Sequence, residues 1–117
     1  MGKYASDLDM VFLALAHPAR RAMLARLGQG EATVGELAEP LGISLPAVTK
    51  HLKVMERAKL ISRSRNAQWR PCRLEAGPLT AASGWIDEQR RVWEGRFDRL
   101  ETYLGALEGE EGRRDDR

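Results

Sequence analysis

Between Thr33 and Ile61 the chain carries two short helical apolar patterns separated only by Gly42-Ile43-Ser44, and few arrangements join two helices so tightly. The first pattern opens with Thr33-Val34-Gly35-Glu36, a capping box in which the Thr hydroxyl and the Glu carboxylate satisfy each other's amide donors. Leu37, Ala38 and Leu41 then point inward, and Gly42 suits the left-handed stop. The second opens with Ser44 at an N-cap and Pro46 in the first turn, where a missing N–H costs nothing. With Val48 as origin and about 100° per residue, Leu52 and Met55 fall within roughly 40° of it and form a buried stripe. Pro46, Lys50, Lys53 and Arg57 fall about 140–200° away, so the opposite face is cationic, with Thr49 at its edge. This is the pattern of a helix-turn-helix.

On the N-terminal side, Ser6 and Asp9 make a second capping box, and Leu8, Val11, Phe12 and Leu15 recur at helical spacing to about Ala16. His17-Pro18 breaks this helix and starts another, which buries Ala22, Met23, Leu24 and Leu27 and ends at Gly28. His17 is expected to make a loop hydrogen bond. After Leu60 the period becomes two: Ile61, Arg63 and Arg65 alternate with serines, Asn66-Ala67 can turn, and Gln68 to Leu74 can return, with Pro71 suited to an edge strand. From Pro78, Leu79, Ile86, Trp93, Leu100 and Leu107 recur every seventh residue, supported by Trp85, Val92, Phe97 and Leu104. That spacing predicts a long amphipathic helix, which Gly84, Gly95 and Gly105 could kink or split. The expected fold is mostly α with a small β-hairpin, one domain over residues 1–108, and a disordered charged tail over 109–117.

The formal net charge of +2 hides a strong asymmetry. Residues 44–73 hold eight basic side chains against Glu56 alone, net +7, whereas residues 1–43 carry net −1 and residues 74–117 net −4. Such a segment fits a polyanion-binding surface. The longest apolar run, Met10 to Ala16, is far short of the roughly 20 residues of a membrane span, and Met1-Gly2-Lys3-Tyr4 does not open a signal peptide. A cytoplasmic protein is expected. Cys72 is the sole cysteine and suits a small strand residue. No Ser/His/Asp set or phosphate-cradling glycine loop is present, so the chain does not look like an enzyme.

The order of helices, helix-turn-helix, arginine-bearing wing and long terminal helix resembles the ArsR/SmtB family of winged-helix transcription regulators. "LAHPARRAMLARL" (Leu15 to Leu27), "ELAEPLGISLPAVTKHLKVMERAKLI" (Glu36 to Ile61) and "WRPCRL" (Trp69 to Leu74) carry the resemblance. It implies a homodimeric repressor that sets the second helix of the motif in the major groove of an inverted-repeat DNA operator. Carried over position by position, Ser44, Leu45, Pro46, Thr49, Lys50 and Lys53 would face the groove, and Arg65 and Arg70 would lie on the wing. His51, about 60° from Val48 beside the buried stripe, is expected to pack or bond a phosphate rather than read a base. Leu45 stands where family members often have Gln, which removes an adenine-reading amide. Family metal sites use paired cysteines in the third helix or His and Asp along the last; here the third helix reads Glu36-Leu37-Ala38-Glu39-Pro40 and the last has no histidine. No metal or other cofactor is expected, which points to the metal-independent subgroup, and nothing indicates a particular small-molecule effector.

The dimer interface is expected to comprise Leu8 and Phe12 with Ile86, Trp93, Phe97, Leu100, Leu104 and Leu107. The alternative is a winged helix used only for protein contacts, without operator binding. The basic segment favours DNA.

Overall fold

The computed structural model describes residues 6–64 and 70–115. The elements are α1 (Asp7–Leu15), α2 (Pro18–Leu27), α3 (Val34–Leu41), α4 (Leu45–Arg57), β1 (Ile61–Arg63), β2 (Cys72–Leu74) and α5 (Gly77–Asp115). This is the winged helix-turn-helix expected from the sequence. The helix starts are set by side chains. Ser6 Oγ accepts from Asp9 N at 3.1 Å while the Asp9 carboxylate accepts from Ser6 N at 3.2 Å. Thr33 and Glu36 repeat the exchange at α3, with both bonds at 3.2 Å. The Thr33 amide, then its hydroxyl, hold the Glu36 carboxyl below its ordinary range, with Arg26 acting in the same direction. Ser44 Oγ accepts from Ala47 N at 3.3 Å at α4. Gly42 closes α3 at φ 62°, a conformation that a Cβ would strain, and so fixes the turn into α4.

The core gathers Val11 and Ala14 of α1, Met23, Leu24 and Leu27 of α2, Leu37 of α3 and Val48, Leu52 and Met55 of α4. Leu60, Ile61 and Cys72 close it from the hairpin side, and Ala82 joins from the first turns of α5. Leu52 and Met55 are fully buried, so the stripe read from the period of α4 is the centre of the body.

The strands are shorter than the alternation suggested. Ile61 pairs with Leu74, Ser62 with Arg73 and Arg63 with Cys72, and Ser64 N–H donates to Pro71 C=O at 3.0 Å. The Asn66-Ala67 turn and Arg65 lie outside the described residues. Cys72 also exchanges both backbone bonds with Ala32, at 3.2 and 2.7 Å, so the α2–α3 connection lies on the other side of β2. At Cys72, β2 is therefore a central strand. Pro71 is tolerated because it stands just before the strand, where no ladder N–H is required.

The end of α4 is a Schellman motif. Leu60 N–H donates to Met55 C=O at 3.0 Å and Lys59 N–H to Glu56 C=O at 2.9 Å, with Lys59 in the left-handed region at φ 59°. Glycine takes that conformation without the Cβ penalty of about 1–2 kcal/mol. Lys59→Gly is expected to raise unfolding free energy by about 0.5–1 kcal/mol, part of the gain being returned as glycine's greater unfolded entropy. A denaturant midpoint below that of the wild type would contradict this.

The last helix answers a question its glycines left open and corrects one expectation. It is one continuous element through Gly84, Gly95 and Gly105. It also runs on to Asp115, where a disordered tail was expected from residue 109. Nucleation is the costly step of helix formation, and an established helix extends at the price of one residue for one new hydrogen bond. Glu108, Glu110, Glu111, Arg113 and Arg114 are good helix formers, and isolated glycines cost about 1 kcal/mol each without stopping propagation. At about 100° per residue the three inner glycines fall on the side of the helix away from Trp93. The chain divides into two compact units between Ala82 and Ser83, so the outer part of α5 stands as a unit of its own. No helix among the described residues is long and apolar enough to cross a membrane.

Candidate nucleic-acid interface

The N-cap and first three turns of α4 carry Ser44, Leu45, Pro46, Thr49, Lys50 and Lys53, six of the residues singled out from the sequence. Ser44 is spent on the cap, which directs the helix start and leaves Leu45 and Pro46 exposed at its tip. Leu45 is 55% exposed, so its apolar side chain stands in solvent at the start of the helix. Thr49 Oγ donates to the Leu45 carbonyl at 3.0 Å, which orients the hydroxyl and leaves its lone pairs to accept from outside. Lys50 and Lys53 are exposed on the face opposite the buried stripe.

The basic segment is less free than its composition suggests. Arg63 pairs with Glu56 at 3.7 Å and Arg73 with Glu31 at 3.2 Å, which withdraws two of the eight cations. Lys50, Lys53 and Arg57 form no ion pair among the described residues. Arg70 is exposed at the base of the wing in a left-handed conformation, φ 36°. Arg65 lies outside the described residues.

His51 sits apart from the cationic face. Its ring stacks obliquely on His17, with centroids 4.5 Å apart, and its Nδ1 lies 3.3 Å from Arg20 Nη1. Burial, then the neighbouring His17 and Arg20, hold His51 below the ordinary imidazole range. Sequence reasoning missed Arg20. Its position three residues after an N-cap marks no periodicity, and only the packing of α2 against α4 brings it to His51.

In the outer unit, Ile86, Trp93, Phe97, Leu100, Leu104 and Leu107 share one side of α5, within roughly 40° of Trp93 at 3.6 residues per turn. All six are exposed in the single chain, Trp93 at 58%, and Trp93 and Phe97 stack with centroids 6.0 Å apart. Trp85, Val92 and Tyr103 widen this strip on one side. In the body, Phe12 is exposed, whereas Leu8 is half-buried and packs on the chain's own core. Leu8 thus has less surface to offer a partner than the sequence pattern suggested. Among the described residues no group of three His, Cys, Asp or Glu side chains could hold a metal ion.

Comparison with known proteins bears on this arrangement. Residues 15–63 match a helix-turn-helix domain. The crystal structure of an ArsR family transcriptional regulator superposes with a TM-score of 0.71 at 42% identity, covering 76% of this chain and 98% of that one. The transcriptional repressor SdpR of Bacillus subtilis is 33% identical over 79 residues, 68% of this chain and 88% of its own length. The chain belongs to the ArsR family of transcriptional regulators. A further relative, the HTH-type transcriptional regulator Rv2034 of Mycobacterium tuberculosis, is 48% identical over 61 residues, 52% of this chain and 56% of that regulator's length. Within this ArsR family chain the matched domain runs from the end of α1 to the end of β1 and so contains all of α4.

Proposed function

We propose that the protein is a homodimeric repressor, acting in the cytoplasm, that binds an inverted-repeat DNA operator through α4 and the wing. One observation carries the reading: α4 is fully buried along Val48, Leu52 and Met55 while Leu45, Pro46, Lys50 and Lys53 stand together in solvent. Lys50, Lys53, Arg65 and Arg70 supply attraction to phosphates, which fixes register. Thr49 and the helix start meet the base edges. SdpR, named a transcriptional repressor, supports the sign of the output. Two-fold symmetry sets the two copies of α4 about one DNA turn apart, so half-site centres should lie about 10 bp or a small multiple apart.

The test is to incubate the protein with fragmented genomic DNA of its source and sequence what stays bound. Recovery of a shared inverted repeat is expected; recovery of random fragments only, at low as well as moderate salt, would reject the reading in favour of a winged helix used for protein contacts. With the recovered duplex, log Kd should change linearly with log salt at about 0.9 per neutralised phosphate. Lys53→Ala should flatten that slope by about one contact. An unchanged slope would remove Lys53 from the phosphate contacts.

A further inference from the structure

Arg20 binds two elements at once. Its Nε donates to the Ala14 carbonyl and its Nη2 to the Leu13 carbonyl, both at 2.8 Å, so the guanidinium caps the last turn of α1. The remaining terminal nitrogen, Nη1, lies 3.3 Å from His51 Nδ1. A guanidinium has no lone pair to offer and can only donate. Nδ1 of His51 must therefore be the acceptor, and in the neutral ring the hydrogen then sits on Nε2. His17 is fixed in the same sense, because its Nδ1 accepts from the backbone N–H of Ala19 at 3.1 Å. Protonating His51 at Nδ1 would forfeit the Arg20 bond and set a second positive charge beside the Arg20 guanidinium.

The surroundings keep this arrangement one-sided. From α2 the groups facing His51 are His17 and Arg20, and on α4 its neighbours in sequence are the cations Lys50 and Lys53. The last turns of α1, Met10 to Leu15, carry no ionisable side chain. No carboxylate among these groups offsets the positive field. Nε2 of His51 has no hydrogen-bond partner among the described residues, and the ring is only half-buried.

We propose that Arg20 is a positioning residue for the α4 surface: by occupying Nδ1 it holds His51 as the Nε2–H tautomer, whose hydrogen is presented to a backbone phosphate of bound DNA. This rests on the DNA-binding reading given above, and it adds to that reading an uncharged donor whose direction is set from another helix. A neutral N–H donor to a phosphate gives a directional bond in addition to the diffuse attraction of the lysines.

Two measurements test it. In the free protein, long-range proton–nitrogen NMR correlations should show His51 as the Nε2–H tautomer. In Arg20→Met that signature should weaken towards a mixture, and the titration of His51 should move upward in pH. The Nδ1–H tautomer in the wild type, or an unaltered pattern and titration in Arg20→Met, would overturn the Arg20 assignment.

Arg20→Met also removes the cap on α1, so a second pair of variants keeps the proposal open to refutation if that protein does not fold. His51→Gln places an amide nitrogen at the reach of Nε2, whereas His51→Asn reaches only as far as Nδ1. Because phosphate contacts are independent of sequence, a mixed-sequence duplex at low salt is a sufficient probe. His51→Asn should bind it about tenfold more weakly than wild type, the scale of one lost hydrogen bond to a charged group, and His51→Gln within about threefold. Equal affinities for the two variants would overturn the phosphate contact. Failure of the wild type to bind any duplex would instead reject the DNA-binding reading and the phosphate contact with it, while the NMR signature would still decide whether Arg20 holds the tautomer.

Discussion

Trp93→Asp is expected to yield monomers or aggregates and to weaken operator binding by a factor on the order of 100 or more, the advantage that two linked modules have over one. Trp93 stands at the centre of six apolar side chains on one side of α5, all of them exposed in the single chain. A continuous apolar strip of this kind on a free surface marks an association site. An aspartate there would set a charge in the middle of the apolar strip, where a covering partner would bury it unpaired. Sedimentation of the wild type and the variant, with operator titrations at fixed salt, decides the matter. A wild type that remains monomeric at micromolar concentration, or a Trp93→Asp protein that stays dimeric with full affinity, would overturn the role given to α5.

The second large effect is on folding. Leu52→Ala should lower unfolding free energy by about 2–5 kcal/mol, since Leu52 is fully buried at the centre of the core and its neighbours belong to several elements. Small domains are stable by only about 5–15 kcal/mol, so a substantial part of the fold's stability rests on this stripe. Two residues away, Lys50→Ala should leave the denaturation midpoint within about 0.5 kcal/mol of wild type, because surface substitutions remote from caps and pairs usually do. A helix with one face committed to the core and the other to solvent predicts this contrast. Equal midpoints for Leu52→Ala and the wild type in a urea titration would show that the assignment of faces is wrong.

That division of α4 was legible before any coordinates. Val48, Leu52 and Met55 repeat at helical spacing, and the capping residues Ser6, Thr33 and Ser44 announce the helix starts by local chemistry. Features that depend on residues far apart in sequence left no such trace. The Ala32–Cys72 bridge involves one residue on each side and so has no alternation to read. Arg20 meets His51 through helix packing alone. The withdrawal of Arg73 into an ion pair was invisible to a count of charges, because its partner carboxylate Glu31 lies outside the basic segment. The length of α5 was underestimated for a different reason. Glycine-rich, charged composition resembles a tail, but a helix already formed extends through such residues at little cost.

Cys72, held between Arg63 and Ala32 in the sheet, has a practical consequence for experiment. Its side chain is fully buried, and burial pushes the thiol above its ordinary range, so the reactive thiolate is both scarce and shielded. Maleimide and methanethiosulfonate reagents should pass over it in the folded protein, and the natural chain then serves as its own unlabelled background. A cysteine introduced in place of Glu88, which is exposed on α5 away from the Trp93 side, would carry one spin label per chain. In an assembly of two identical chains, each label sees only its counterpart, and a single dipolar distance reports the separation of the paired subunits directly.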